Sequence, residues 1–303
     1  MARGSTGMAT RAAAGSGAGP GVGRPLRARP WGRRFVGNPM IAAGLTLLAI
    51  VTAAALAAPL VAPAHPDELS LGETLRPPGP GHPFGTDYYG RDVLARVLFG
   101  ARVSLLVGLS AQVATLVVGV TLGVLAGYFG GWVDFLVMRA VDVFLALPDL
   151  LLAIGIAAAL GPGLVSVLAA LALVGWPGLC RLVRAEVRAV VERDFIQAAR
   201  AVGAGRGWIV MRHVLPNVTA PIVIATSTGM GSRIMQEASL SFLGLGIQPP
   251  MASWGAMVHF GLRWLSRAPW LVIFPGLAIA AAVLGFNLLG DGLRDALDPR
   301  LRD

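Results

Sequence analysis

The sequence predicts an all-α integral membrane protein with six transmembrane helices. Three observations carry this: 55% of the 303 residues are apolar, only 14% are charged, and the apolar residues gather into runs of about 20, the length a helix needs to cross the hydrocarbon core. A soluble domain carries about 25% charged residues. The composition also excludes chemistries. All 25 basic residues are Arg, so there is no phosphate-binding loop ending in Gly-Lys-Ser/Thr and no Schiff-base lysine. Cys180 stands alone, which removes internal disulfides and multi-cysteine metal clusters. The four histidines (His65, His82, His213, His259) lack paired metal-ligand spacing. The sequence offers no catalytic set, no metal site and no cofactor site.

Residues 1–38 hold Gly, Ala, Ser, Pro and seven arginines without an acid. Such a segment cannot bury a core and is expected to be a disordered tail ahead of a transmembrane domain at 39–303. Arg33-Arg34-Phe35 invites an export-signal reading, but the run from Met40 to Val61 exceeds a signal core of about 7–15 residues. It is read as the first span, at 40–61. The others are expected at 104–128, 135–160, 164–182, 219–245 and 270–289. Pro148, Pro177, Pro221 and Pro275 fall inside them, as membrane helices allow when neighbours re-satisfy the freed backbone groups.

The arginines set the orientation. Segments 1–39, 129–134, 181–218 and 290–303 hold 7, 0, 7 and 3; segments 62–103, 161–163 and 246–269 hold 4, 0 and 2. Excess arginine marks the cytoplasmic side, so both termini are expected in the cytoplasm of a bacterial cell, with the multi-pass chain in its inner or plasma membrane. The arginine tail could attract phosphate, but beside a first span it is read as contacting anionic lipid rather than nucleic acid.

The longest cytoplasmic segment, 183–217, is not loop-like. Val187, Val191, Phe195, Ala198 and Val202 recur at helical spacing, which predicts one apolar face. Gly203, Gly205 and Gly207 interrupt it, a short apolar stretch Trp208–Val214 follows, and Leu215-Pro216 is expected to stop it before the next span. Two uses fit: a helix lying in the headgroups, or one fitted to a groove on a partner protein.

The stretch Phe195-Ile-Gln-Ala-Ala-Arg-Ala-Val-Gly203, followed by Arg212-His-Val-Leu-Pro-Asn217, resembles the EAA loop of ABC importer permeases, which forms the coupling helix docking on the ATP-hydrolysing subunit. Ala198, Ala199, Gly203, Leu215 and Pro216 match that pattern. Gln197 stands where the pattern has its first acid, and His213 near an apolar position. His82-Pro-Phe-Gly-Thr-Asp87, Gly90-Arg-Asp-Val-Leu94, Gly100-Ala-Arg-Val-Ser104, Glu237-Ala-Ser-Leu-Ser-Phe-Leu-Gly-Leu-Gly246, Ser253-Trp-Gly255 and the run Asn287–Arg300 resemble the dipeptide/oligopeptide/nickel branch, specifically its second permease subunit. The resemblance runs from about Arg33 to Arg300. It implies a type I importer permease with a coupling helix between spans 4 and 5. The implied ATPase-coupling residues are Phe195, Gln197, Ala198, Ala199, Gly203, Leu215 and Pro216. The implied partners are a homologous permease, two ATP-binding subunits that carry the hydrolysis, and an extracytoplasmic solute-binding protein. The solute implied is a short peptide or related small molecule.

Ionisable residues inside spans are costly and usually face protein or water. Arg139 and Asp142 are three apart, Arg233 and Glu237 four apart, so each pair is expected to neutralise itself on one helical face. Thr228, Ser232, Glu237 and Ser241 have two readings: close helix packing, or lining of the translocation path. Asp87, Arg91 and Asp92 either contact a docked binding protein or fix the start of the second span. Cys180 reads as a small buried residue, His213 as a packing or hydrogen-bonding residue, and Asp291, Asp295 and Asp298 as a solvated, salt-bridged tail. Two other classes fit less well. A secondary transporter would show internal repeats, and none is visible. An intramembrane serine protease would need a base within reach of its nucleophile, and no histidine lies in a span.

Overall fold

The computed structural model describes residues 37–297; nearly all of the expected tail at 1–38, and Asp298 at the other end, lie outside them. Among the described residues the protein is all-α. Its helices are α1 (Pro39–Val61), α2 (Val93–Phe129), α3 (Gly131–Leu145), α4 (Asp149–Leu160), α5 (Leu164–Val191), α6 (Asp194–Ala201), α7 (Arg206–Ile209), α8 (Leu215–Phe242), α9 (Trp254–Gly261) and α10 (Trp270–Leu297). Five stretches are long and apolar enough to cross a membrane, and α3 with α4 make a sixth if that bent pair counts as one.

Helix starts follow local chemistry. Asn38 caps α1, accepting from the Met40 and Ile41 amides, with Pro39 in the first turn. Asp92 caps α2 by accepting from Ala95 N at 2.7 Å. That cap places the start of α2 at Val93, earlier than the expected 104. The extra turns hold Arg96, whose guanidinium donates to Pro66 O at 2.9 Å and pairs with Asp67 at 3.1 Å. A charge made that way belongs to the connecting segment, so hydropathy could not include it. Gly130 and Gly131, both at positive φ, separate α2 from α3.

The predicted third span, 135–160, is broken: α3 and α4 meet at 85°. Pro148 caps α4, and a residue preceding proline avoids the α region. Pro177 and Pro275 sit buried within α5 and α10 without such a break, whereas Ala146, Leu147 and Pro148 are exposed with nothing packed over them. The fourth and sixth spans also outrun their expected ends, to Val191 and Leu297. The fifth ends at Phe242 rather than 245.

The tightest packing joins α2 to α5. A Cβ at Gly123 would lie 2.7 Å from Cys180 O, and one at Gly127 2.9 Å from Arg184 O. Gly119, Gly123 and Gly127 recur every fourth residue, the small-residue spacing that lets membrane helices approach closely. Asp134 of α3 binds Arg184 through both carboxylate oxygens, with Arg188 at 3.5 Å. Asp142 pairs with Arg139 at 3.1 Å, as expected, and with Arg181 at 2.9 Å. Arg233 and Glu237 do not pair. They leave α8 in different directions, Arg233 toward Gly175 of α5 and Glu237 toward Ser241.

Candidate functional site

The 192–214 segment is anchored by Ile196, Ile209 and Val214, all three buried. α5 ends at Val191, Arg193 is extended, and α6 begins at Asp194. The single apolar face expected from Val187 to Val202 therefore does not exist, because the chain breaks at 192–193 and the phase is lost. The inward residue of α6 is Ile196, 0% exposed, packed with Val183, Val187, Val190, Ile209, Val214 and Val218. Phe195 and Val202 face out, the latter 84% exposed, and so do Trp208 and Met211. Arg193, Arg200, Arg206 and Arg212 are exposed around them.

Each residue matched to the EAA pattern has a local role. Gly203 has φ +81°, the left-handed conformation that glycine adopts without a Cβ penalty. Ala204 N bonds to Ala199 O and Gly203 N to Arg200 O, both at 3.0 Å, which closes α6 in a Schellman motif. Ala199 contacts the Ile196 cluster, and Ala198 is exposed beside it. Gln197 donates from Nε2 to Val191 O at 3.2 Å, satisfying a terminal carbonyl of α5. An ionised carboxylate could not donate there, which gives a physical reason for the departure from the acidic pattern. His213 stacks edge-on with Trp208 at 4.8 Å and lies 6.1 Å from Phe195.

Leu215-Pro216 does not stop the helix, against expectation. Residues 210–214 widen into a π turn, in which Leu215 N reaches Val210 O, and the helix continues from Arg206 to Phe242. The proline ring would clash with the carbonyl four residues back in a regular helix; widening by one residue relieves this.

At the opposite end, segment 62–92 is held by charge. Arg91 Nε donates to Asp87 Oδ2 at 2.7 Å, and both are buried. His82 bridges Asp92 (2.7 Å) and Glu73 (2.8 Å). Those hydrogen bonds, Asp92 first and Glu73 second, raise the His82 pKa above its ordinary value. The His82 bond first, and Arg76 second, hold Glu73 below its own. Burial raises the Tyr88 phenol. Trp270 Nε1 donates to Thr86 O at 3.1 Å, and Phe84 stacks on Phe274 at 3.9 Å, fastening the segment to α10.

The four polar residues of the fifth span occupy two environments. Glu237 is 0% exposed; Ser241 Oγ donates to it at 2.8 Å, with Ser104 and Ser253 beside it. Ser253 caps α9, and Trp254 is locked by Nε1 donating to Val97 O at 3.0 Å. Thr228 and Ser232 instead belong to a face continued by Met235, Ser239 and Phe242 at alternating spacings of four and three, along which Ser232, Met235 and Phe242 are exposed. Beside it opens an apolar cleft of about 350 Å³, lined among others by Leu150, Met235, Ser239, Phe242 and Val258. Sequence reasoning missed Ile196, Trp208 and the glycine repeat of α2. The repeat was visible as spacing; the other two needed the break at 192–193 to be known.

Among the described residues no cluster of three or more His, Cys, Asp or Glu is placed to hold a metal ion. Residues 119–303 match the family of binding-protein-dependent transport system inner membrane components. Residues 29–78 match the N-terminal transmembrane domain of oligopeptide transport permease C. The chain is 44% identical to the dipeptide transport system permease protein DppC of Alkalihalophilus pseudofirmus, over 90% of this chain and 91% of that protein. It is 43% identical to the di/tripeptide transport system permease protein DppC of Pseudomonas aeruginosa (94% and 96% covered). It is 42% identical to the glutathione transport system permease protein GsiD of Pectobacterium atrosepticum (90% and 91%).

Proposed function

The chain belongs to the family of binding-protein-dependent transport system inner membrane components, and on that premise we propose that it forms half of the path of an ATP-driven importer for short peptides. The peptide assignment is carried by the relatives, which are named for dipeptides, di/tripeptides and glutathione. The proposed assembly has a second homologous permease, two ATP-binding subunits and an extracytoplasmic solute-binding protein. In the proposed topology the transmembrane domain covers 39–303 and crosses six times, the bent α3–α4 pair counting once. Both termini and the 192–214 segment face the cytoplasm, with 1–38 as a cytoplasmic tail.

The coupling surface is α6 with α7, using Phe195, Gln197, Ala198, Ala199 and Gly203, while Leu215 and Pro216 join it to the fifth span. One observation carries this assignment: α6 sinks Ile196 into the bundle and leaves Phe195, Val202, Trp208 and Met211 facing outward. Exposed apolar groups rimmed by charge mark interaction surfaces. Because the helix is continuous from Arg206 to Phe242, displacement of that surface by a closing ATPase would reach the path directly. Alternating access would then follow from contacts that differ between two states.

Thr228 and Ser232 line the proposed path. Glu237 and Ser241 support it from behind, since both are buried. Asp87, Arg91 and Asp92 are likewise buried; in this proposal they shape the outer segment, and exposed neighbours such as Leu71 and Tyr89 meet the binding protein. The test is a single cysteine at 202 in a Cys180→Ser background. It should cross-link to an ATP-hydrolysing subunit when the transporter is isolated from membrane. Efficient cross-linking to lipid alone would dispose of the coupling assignment.

A further inference from the structure

Among the described residues Arg233 is a cation without a paired anion. It is 8% exposed, well inside the apolar length of α8. Asp149, at the first turn of α4 beyond the break in the third span, is exposed and does not pair with it. A charged side chain at such depth is costly unless a partner offsets it. The partners present are neutral: Nη1 donates to Gln236 Oε1 and Nη2 to Gly175 O at 3.3 Å. Among the described residues Nε has no acceptor, and Gln112 Oε1 and Thr115 Oγ1 nearby have no partner either. Two glycines keep the spot open. A Cβ at Gly175 would stand 3.0 Å from Arg233 Cζ, and one at Gly229 would stand 2.9 Å from the Gln112 amide.

Gln236 is the link to the path. It lies one turn beyond Ser232 on the same helix and is half-buried, so it separates the guanidinium from the Ser232 face. Its carboxamide oxygen occupies the place where a carboxylate oxygen would accept from Arg233. A carboxylate adds a full opposite charge and two acceptor oxygens that match the guanidinium fork, where the amide offers one neutral oxygen, so an arriving carboxylate can displace the amide.

Resting on the peptide reading above, we propose that Arg233 receives the free carboxylate of the peptide as it passes, with Gln236 as the neutral stand-in between transport events. The alternative use of the same contacts is a strut between α8 and α5. The two differ in what Gln236→Glu does. A strut keeps its acceptor, whereas a receptor site becomes permanently occupied by a built-in anion.

The experiment uses the complete transporter with its binding protein in proteoliposomes, measuring uptake of a dipeptide and of its C-terminal amide. Selection by the binding protein is common to all variants, so the change in the acid-to-amide ratio isolates Arg233. Arg233→Gln and Gln236→Glu should each lower that ratio by about tenfold, while Arg233→Lys should retain most of it. An unchanged ratio in Gln236→Glu, or acid and amide uptake falling together in Arg233→Gln while Gln236→Glu behaves as wild type, would establish the strut and overturn the proposal. Wild-type transporter that imports neither compound would overturn the peptide reading itself, and this inference with it.

Discussion

The two ends of the bundle treat their side chains in opposite ways. In segment 62–92 the charges turn inward: Asp87 and Arg91 are buried against each other, and His82 is held between Asp92 and Glu73. In segment 192–214 three apolar side chains, Ile196, Ile209 and Val214, turn inward, while Phe195, Val202, Trp208 and Met211 are left outside. The first region is a finished surface whose shape is fixed before anything meets it. The second leaves four large apolar side chains outside and gains by their being covered. Burying apolar surface contributes about 25 cal/mol per Å², so the covering partner supplies energy that the chain does not supply itself.

The largest test of this contrast is Val202→Asp. Because Val202 touches no core, the variant should reach the membrane in normal amount, yet uptake and solute-stimulated ATPase activity should fall at least about tenfold, equivalent to about 1.4 kcal/mol of lost coupling. Normal transport would mean the exposed face is idle. At the other end, Asp92→Ala removes both the α2 cap and a His82 partner, costing about 1–2 kcal/mol. It should loosen 73–92 to proteolysis, while Asp92→Asn, still a good cap, should loosen it less.

Next is Gly203→Ala, which forces a side chain into the left-handed region at about 1–2 kcal/mol. Hydrogen exchange should then rise over 194–204 and nowhere in 62–92. Gln197→Glu should cost about 0.5–1.5 kcal/mol by losing the bond to Val191 O, read as faster exchange at the end of α5. The smallest effect is that of pH on segment 62–92. His82 is raised from 6.5, so its contribution is fully present below that value and is lost as pH rises through the raised one. Glu73 is lowered from 4.5, so its contribution is present above 4.5 and is lost as pH falls through the lowered one. Protection factors over 73–92 should therefore be greatest between about pH 4.5 and 6.5 and decline on either side of that window.

Membrane character and the approximate spans were legible because length and apolarity are properties of single segments. What the sequence hid depends on neighbours. Four prolines looked alike, and only Pro148 breaks its span, because Pro177 and Pro275 are packed and it is not. Arg233 and Glu237 have the spacing of a pair, but each finds a different helix or loop to face, which periodicity cannot reveal. The EAA-like residues could be named from pattern. Their individual work, such as the amide donation by Gln197, required knowing that α5 ends at Val191.

The π turn at Val210–Val214 has a consequence for how this chain can vary in length. By carrying the helix past Pro216 without a joint, it makes residues 206–242 a single mechanical phase. Each residue added to or removed from an α-helix rotates everything beyond it by about 100°. A one-residue deletion between Val218 and Ala225 would swing the face shared by Ser232 and Gln236 around the helix relative to the 206–217 end, and turn Arg233 out of register with Gly175. The turn between Ala204 and Gly205 lies past the closure of α6 and before the helix that starts at Arg206. An insertion there should be tolerated better than one a few residues later, so length variation becomes a direct gauge of where the lever begins.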